Sequence, residues 1–210
     1  GPTRPRPAVG CRAGMQSAPK CIADWGRGHD VIHGQWEWMN APEINSTQCE
    51  WDTTCPSSQW KHSHNYVHHK YTNVVGKDND VGYGILRVTR DQKWHPVNLG
   101  QPIYNALLAT FFQWGVALHD LDLEAIRKGK KDKRTTLRQL KQIGRKVVRQ
   151  VGKDYVVFPL LTGPQFVSTL TANATANLMR NLWTYTVIFC GHFPGGAEKF
   201  TERELESETQ

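Results

Sequence analysis

Histidine clustering constrains this 210-residue chain more than any other feature of its sequence. Six of the nine histidines lie between His29 and His69. His29 and His33 are four residues apart, and so are His64 and His68. On a helix this spacing places both rings of a pair on one face. His69 follows about 100° further around the same helix, so the second group can present imidazoles to two neighbouring points.

The two histidine groups predict a metal centre. Neutral imidazole binds zinc, copper, iron and nickel, so the ligand type does not select the metal. The number of ligands is more informative, because a catalytic zinc takes about three protein ligands and a structural zinc about four. Roughly 0.02 matches to the second pattern, His-x-x-x-His-His, are expected by chance. The first pair alone is more often two surface histidines, but together the groups indicate an all-histidine site for two metal ions.

The sequence around the histidines resembles the first two histidine boxes of the membrane-bound fatty acid desaturases, particularly the bacterial acyl-lipid and acyl-CoA type. The likeness is carried by Gly28–Met39 and Trp60–Val74, and Gly191–Phe200 is also similar. The family has a third box, His or Gln followed by x-x-His-His, and the chain ends at Gln210 without it. The resemblance therefore predicts a partial fatty acid desaturase domain at residues 28–210.

This resemblance implies an acyl-CoA or acyl-lipid desaturase, an oxidoreductase that uses O2 to insert a double bond into a long acyl chain. Its cofactor would be two iron ions (Fe2+/Fe3+), because no protein side chain oxidises an alkyl chain. The implied partners are the long-chain acyl substrate, O2, and a ferredoxin-like or cytochrome b5-type electron donor with its NAD(P)H reductase. No catalytic residue is implied beyond the metal ligands. The implied ligands are His29, His33, His64, His68, His69 and His192.

His192 is included among the implied ligands because the family has a further histidine ligand on its last membrane helix. His62 and His95 are not marked by the family motif. Acidic residues around the boxes are candidates to hold a ligand ring by accepting its second N–H. These are Asp30, Glu37, Glu50, Asp52, Asp78 and Asp80.

Three other functions remain compatible with the same residues. A related di-iron membrane hydroxylase would share both boxes. A fragment without the third box would bind metal and membrane without turnover, and a soluble metal-binding module is the remaining alternative. We expect little or no activity from the chain as written, because ligands from the third box would be missing.

Residues 1–27 differ in composition from the rest of the chain. They are rich in proline, glycine and arginine and contain no apolar core of a signal peptide. Such a composition is typical of a disordered tail, whereas the family has membrane-spanning helices just before its first box. We interpret this segment as disordered or as non-authentic family sequence.

The apolar segments predict an all-α, membrane-associated protein with two short transmembrane helices. Tyr155–Met179 and Asn181–Ala197 contain no Lys, Arg, Asp or Glu. We predict a membrane hairpin at about 154–192, with helices at about 154–171 and 176–192 and a turn near Thr171. A buried helical hairpin in a soluble protein is the alternative.

Two segments that precede the predicted hairpin indicate how the protein would contact the membrane. Pro96–Leu118 has no charged residue in 23 positions, but its Asn and Gln side chains leave too short an apolar run to span. It is therefore predicted to be an interfacial or buried helix. Arg127–Lys153 has twelve Lys or Arg and a single Asp132. Nucleic-acid binding is disfavoured because this segment lacks interleaved aromatic residues for base stacking. The positive-inside rule instead favours a cytoplasmic loop beside a membrane span. The histidine-box region is expected to face the cytoplasm.

Overall fold

The computed structural model is predominantly helical in the part of the chain that it describes. No β-strand occurs among these residues, and an isolated parallel bridge pairs Val74 with Phe200. The predicted all-α class is confirmed, and the prediction for residues 1–27 lies outside the described part. The described residues are 28–39, 45–47, 49–51, 53–78, 80–90, 92–121, 126, 129, 131–192, 198–201 and 204.

The helices are short around the histidines and long towards the carboxyl end. The α-helices are α1 (Asp30–Ile32), α2 (Ser57–Trp60), α3 (Gln101–Thr110), α4 (Phe112–His119), α5 (Lys133–Val151), α6 (Phe158–Leu161) and α7 (Phe166–His192). Two π-helices, Lys61–His68 and Gly152–Val157, extend α2 and connect α5 to α6. Turns of 3-10 helix lie at Glu37–Met39, Gly82–Gly84, Pro96–Gly100 and Gly163–Gln165.

The predicted helix at 96–118 is present, but in pieces. Its first turn is 3-10 helix, where the Asn98 side chain accepts a hydrogen bond from the His95 N–H at 2.7 Å. The helix breaks at Phe111, whose backbone has left the helical region at φ −110° and ψ 30°. One face is buried through Leu108 and Phe112, while much of the opposite face is exposed. The segment is therefore an amphipathic helix rather than an evenly buried one.

The segment predicted to form the membrane hairpin folds as a pair of helices, but the predicted turn near Thr171 is wrong. The chain reverses at Gly163–Gln165, and α7 runs unbroken through Thr171. Gly163 has a φ of +51°, which glycine adopts at little cost, and Pro164 follows where a missing N–H is tolerated. The Thr171 hydroxyl donates to the Val167 carbonyl at 2.9 Å within the helix, so its polar group does not terminate the helix.

Helix α7 buries a stripe of polar side chains and exposes apolar ones. Its side chains at Asn173, Asn177 and Arg180 are buried, whereas Leu182 and Trp183 are among those exposed. Positions four and seven apart share a helix face, so the buried polar groups form one stripe. Among the described residues, no helix combines the length and the apolar character required to cross a bilayer.

Two apolar clusters hold the histidine-bearing segments in place. The first joins α1, α2, α4 and α5, so the elements that carry both histidine groups share one core. Its buried members are Ile32, Cys55, Trp60, Ala117, Leu121 and Ile143. The second joins α3, α4 and α7 and packs the end of α7 beside the same region. Its buried members are Tyr83, Leu86, Leu108, Ala109, Phe112 and Tyr185.

Candidate metal centre

The two histidine groups converge on one cluster. Nε2 of His29 lies 3.1 Å from Nε2 of His33. The ring centroid of His33 lies 5.1 Å from that of His64 and 5.0 Å from that of His69. The rings of His64 and His68 are stacked at 4.8 Å with an interplanar angle of 19°. All five residues of the predicted boxes are thus brought together, although their role as ligands stays a prediction.

His64 and His68 of the second group lie on a π-helix rather than on the expected α-helix, and His69 follows directly after it. Within Lys61–His68 the Ser63 hydroxyl donates to the carbonyls of Gln59 and Trp60, at 3.3 and 3.2 Å. Side-chain bonds of this kind compete with the regular backbone ladder. π-Helical turns are rare and occur frequently at functional sites. Here the wider turn still leaves His64 and His68 on one side of the helix.

Contacts between the two groups fix their relative position. Val31 and Ile32 in α1 are buried, which anchors the first group to the core. The Asn65 side chain donates to the Ile32 carbonyl at 3.2 Å and so joins the second group to the first. Trp60 stacks on His64 at 4.3 Å and meets His29 edge-on at 5.5 Å. The histidines are therefore supported from the core side by a buried indole.

Two acidic residues after the second box reach the histidine rings. Nδ1 of His68 lies 3.0 Å from Asp78 Oδ1, and Asp78 is 3% exposed. Asp80 Oδ2 lies 3.7 Å from His64 Nδ1 and 3.6 Å from His68 Nδ1. A carboxylate that accepts the second N–H of a metal-binding histidine fixes the orientation of its ring. Asp78 has the geometry expected of such a residue.

The remaining acidic candidates have different partners. Asp30 Oδ1 lies 3.2 Å from His29 Nδ1 and so reaches the first group. Glu37 accepts from the Ser46 N–H, and Glu50 accepts from Lys146 at 2.6 Å. Asp52 lies outside the described residues. Three of the six candidates, Asp30, Asp78 and Asp80, therefore contact histidines.

His192 lies beside the cluster from a distant part of the chain. It is in the last turn of α7, and its ring centroid is 4.9 Å from that of His68. Its Nδ1 donates to Asn73 Oδ1 at 3.1 Å. His62, by contrast, is exposed and stacks on Tyr66 at 5.8 Å. The position of His192 agrees with its inclusion in the predicted ligand set.

Burial keeps several of the rings uncharged. It lowers the pKa of His33 to about 4, with a further contribution from the neighbouring His29, and it lowers the pKa of His64 and of His69. For His68 burial acts in the same direction, but the bond to Asp78 outweighs it and the pKa is raised. Neutral imidazoles carry the lone pair that a metal ion requires. At neutral pH the cluster therefore presents donor nitrogens.

Asp80 contributes a negative charge to the cluster. Burial opposes its ionisation, but contacts with His192 and His64 hold the pKa of this carboxyl below its usual range. A carboxylate among neutral imidazoles offsets part of the charge of a bound cation.

The donor geometry fits a metal centre. Two nitrogens bound to one ion at about 2.1 Å and at near-tetrahedral or octahedral angles are about 3.0–3.4 Å apart. The 3.1 Å between His29 Nε2 and His33 Nε2 has this value. Three groups have ligand atoms within 4.8 Å of one another, and because they share members they form an extended site. The groups are His29, His33 and His64; His64, His68 and Asp80; and His68, Asp78 and His192.

A cavity of about 90 Å³ adjoins the histidine cluster. His29, His64 and His68 line it on one side, and polar groups such as Gln113 and Arg180 also lie in its wall. Sequence reasoning missed this cavity because its walls come from segments far apart in the chain. The sequence signal that could have indicated it is Trp60, an apolar side chain four residues before His64. The apolar lining residues are Trp51, Trp60, Tyr83, Phe112, Val116 and Ile188.

A buried thiol and carboxyl pair also lies in the cavity wall. Cys55 Sγ donates to Asp120 Oδ2 at 2.9 Å. Burial raises the pKa of Asp120 and of the Cys55 thiol. These groups are therefore protonated over a wider pH range than exposed ones.

Comparison with known proteins places this site in a family. The family model for fatty acid desaturases matches residues 11–201. Two similar proteins, named NADPH-dependent stearoyl-CoA 9-desaturase, come from strains of Mycobacterium tuberculosis. Each is 52% identical over 193 residues, which is 90% of this chain. An sn-1 linoleoyl-lipid 6-desaturase of Synechocystis is 33% identical over 106 residues, 49% of this chain and 29% of that protein.

The matches to the mycobacterial relatives cover most of this chain but less than half of each relative. The chain spans 45% of the length of the two mycobacterial relatives. No solved structure matches the chain significantly. The family model nevertheless covers most of the chain, including both histidine groups and His192. The chain belongs to the fatty acid desaturase family.

Proposed function

We propose that this chain carries the metal centre of an O2-dependent fatty acyl desaturase, with the desaturase domain at residues 28–210. The observation that carries the proposal is the convergence of His29 and His33 with the histidines of the second box. Within a family of desaturases, that convergence supports a role in oxidation rather than in structure. The mycobacterial relatives are named for stearoyl-CoA and NADPH. We therefore propose a long-chain acyl-CoA substrate and electrons from NAD(P)H through a reductase and a ferredoxin-like or cytochrome b5-type carrier.

The proposed cofactor is a pair of iron ions. Iron held here would supply the oxidation that removes two hydrogens from adjacent methylene groups, which no side chain can perform. The nitrogen donors and the carboxylate form a set that iron accepts, and the separation of His29 Nε2 from His33 Nε2 supports two ligands to one ion. The proposed ligands are His29, His33, His64, His68, His69 and His192.

The surrounding residues orient these ligands. Asp78 accepts the Nδ1 proton of His68, which directs the lone pair to Nε2. Asp30 is placed to do the same for His29. Trp60 packs against His64 and keeps water from one side of the cluster. The protein thus holds the imidazoles in one orientation before any ion binds.

The cavity beside the cluster is proposed to hold a segment of the acyl chain. Six aromatic or aliphatic side chains lie in its wall, and an alkyl chain makes only apolar contacts. His64 and His68 lie in the same wall, so a bound chain would lie against the cluster. This arrangement would bring a methylene group next to the oxidising centre and exclude water from it.

The protein is proposed to be a multi-pass membrane protein whose histidines face the cytoplasm. Support comes from exposed apolar side chains at the hairpin tip, including Leu160, Leu161 and Val167, and along α7 at Trp183. The buried polar stripe of α7 is the pattern of a helix that meets protein on one side and lipid on the other. Helix α5 has no acidic residue, so it would bind anionic head groups at the cytoplasmic surface.

The proposed activity is tested in a longer protein, because the chain spans 45% of the length of the two mycobacterial relatives. The parts of a mycobacterial relative that lie outside the matched region are joined to this chain. The fusion protein is loaded with Fe2+ and supplied with stearoyl-CoA, O2 and a reductase system, and the acyl products are analysed by mass spectrometry. The proposal expects an O2-dependent product two mass units lighter from the fusion with intact histidines, absent in His64→Ala and retained in His62→Ala, because His62 is exposed outside the cluster. An iron-loaded fusion that forms no more product than its His64→Ala variant would favour a non-catalytic metal-binding role.

A further inference from the structure

Asn73 lies in the turn that follows the second histidine box and connects three parts of the molecule. Its N–H donates to Asp78 Oδ2 at 2.8 Å, and its carbonyl accepts from the Phe200 N–H at 3.1 Å. Its side chain accepts from His192 Nδ1 at 3.1 Å and donates to the Glu198 carbonyl at 3.4 Å. Asn73 therefore contacts the turn, the end of α7 and the segment after α7.

The orientation of the Asn73 amide follows from its two partners. A backbone carbonyl only accepts hydrogen bonds, so the group that faces the Glu198 carbonyl must be the amide nitrogen. The amide oxygen then faces His192 Nδ1 and requires a proton on that nitrogen. Nε2 is therefore the ring nitrogen of His192 that is left to bind a metal ion, and it lies 3.7 Å from Asp80 Oδ2 within the cluster.

The backbone of Asn73 is in the left-handed region, with φ at +61°. Glycine adopts this conformation without steric cost, whereas asparagine is one of the few other residues that tolerates it. A residue that served only to form the turn would thus be best as glycine. The asparagine side chain adds what glycine lacks, the bond to His192.

We propose that Asn73 is a positioning residue that sets the tautomer and ring orientation of His192 as a metal ligand. The same residue holds Asp78 through its backbone N–H, and Asp78 holds His68. Asn73 therefore orients His192 directly and supports His68 indirectly. This inference rests on the proposed metal centre and adds to it the residue that joins α7 to the second box.

Two substitutions separate the side chain from the turn. Asn73→Gly keeps the left-handed turn and both backbone hydrogen bonds but removes the acceptor for His192. Asn73→Asp keeps an acceptor oxygen at the same position. Asn98→Ala is the control, because it removes an asparagine side chain whose bond is to the His95 N–H. Folding of each variant is checked by far-ultraviolet circular dichroism.

Metal binding is measured by anaerobic titration with Fe2+, and the ligand field by the visible spectrum of the Co2+ form. Asn73→Gly is expected to weaken binding by about 10–100-fold, the usual effect of losing a partner that orients a ligand, and to alter the Co2+ spectrum. Asn73→Asp and Asn98→Ala are expected to stay within a few-fold of wild type. Wild-type affinity and spectrum in a folded Asn73→Gly would overturn the inference, as would equal losses in Asn73→Gly and Asn73→Asp. A wild type that binds no metal would contradict the proposed function as well.

Discussion

At the scale of single residues, the histidines were predictable from sequence and their partners only partly so. His64, His68 and His69 form a pattern that chance rarely produces. The pair His29 and His33 indicates a metal site only in combination with that pattern. Asp78 was one of six acidic candidates, and spacing alone could not select it, because the selection depends on how the chain turns after the second box. Asn73 carried no signal in the sequence, since its role depends on a contact with a residue 119 positions away.

Asp78 should matter more to the metal centre than a surface carboxylate does. It accepts bonds from His68 and from the backbone N–H groups of Asn73 and Asp80. Asp78→Ala is expected to destabilise the fold by about 3–5 kcal/mol, because buried donors lose their acceptor. Asp78→Asn should weaken Fe2+ binding by about 10–100-fold.

The measurements for Asp78 are chemical denaturation and anaerobic Fe2+ titration. Glu37→Gln is the matched control, because this exposed carboxylate accepts from the Ser46 backbone and side chain and contacts no histidine among the described residues. Its Fe2+ affinity should equal that of wild type. Equal Fe2+ affinities in wild type and Asp78→Asn would show that His68 does not depend on this carboxylate.

Asp120 predicts a pH dependence of stability. Burial raises the pKa of this carboxyl, so the folded state binds more protons than the unfolded state as the pH rises above the ordinary carboxyl pKa. The contribution of Asp120 to stability is therefore greatest at low pH and falls as the pH approaches the raised value. Asp120→Asn removes this fall.

The stability gain of Asp120→Asn over wild type should therefore be larger at pH 8 than at pH 4, because pH 4 is close to the ordinary carboxyl pKa. Thermal unfolding of both proteins at the two pH values measures it. A gain that is constant with pH, or that shrinks towards pH 8, would show that burial does not raise the pKa of Asp120.

At the scale of elements, periodicity predicted where helices lie better than where they end. The charge-free stretch from Tyr155 onward was predicted to turn near Thr171. The Thr171 hydroxyl instead bonds within α7, and the turn lies at Gly163. The π-helix at Lys61–His68 was also not predictable, because the histidine spacing fits either kind of helix.

Gly163 and Gly144 should respond in opposite directions to alanine. Gly163 has a φ of +51°, so Gly163→Ala places a side chain in the left-handed region and should cost about 1 kcal/mol. Gly144 lies inside α5, and an added methyl group there meets no atom within 4 Å. Gly144→Ala should stabilise the protein by about 0.5–1 kcal/mol. Thermal unfolding measures both, and a stabilised Gly163→Ala would contradict the turn.

At the scale of the whole molecule, the average composition and the distribution of side chains over the structure give different information. A mean hydropathy of −0.56 and a net charge of +7 are those of a soluble basic protein. Many exposed apolar side chains nevertheless lie on the hairpin and on α3, and the basic ones are concentrated on α5. The polar stripe of α7 lowers its average hydropathy, because the residues that face the protein are counted with those that face outward.

The exposed hairpin tip should control binding to lipid. Leu161 is 77% exposed, and Leu161→Lys places a charge on the apolar surface. We expect this variant to bind vesicles containing anionic lipid less than wild type does. Gln142→Lys adds the same charge on the basic helix α5 and should leave binding unchanged or strengthen it. Vesicle flotation measures the bound fraction, and equal loss in both variants would contradict a membrane-facing tip.

The central claim is that two histidine groups far apart in sequence form one centre for two iron ions. The iron content of the purified, Fe2+-loaded chain, measured by mass spectrometry, tests it most directly. The claim predicts about two iron ions per wild-type chain, a clear loss in both His33→Ala and His68→Ala, and wild-type content in His62→Ala. Less than one iron ion per wild-type chain, or an equal loss in His62→Ala, would contradict it.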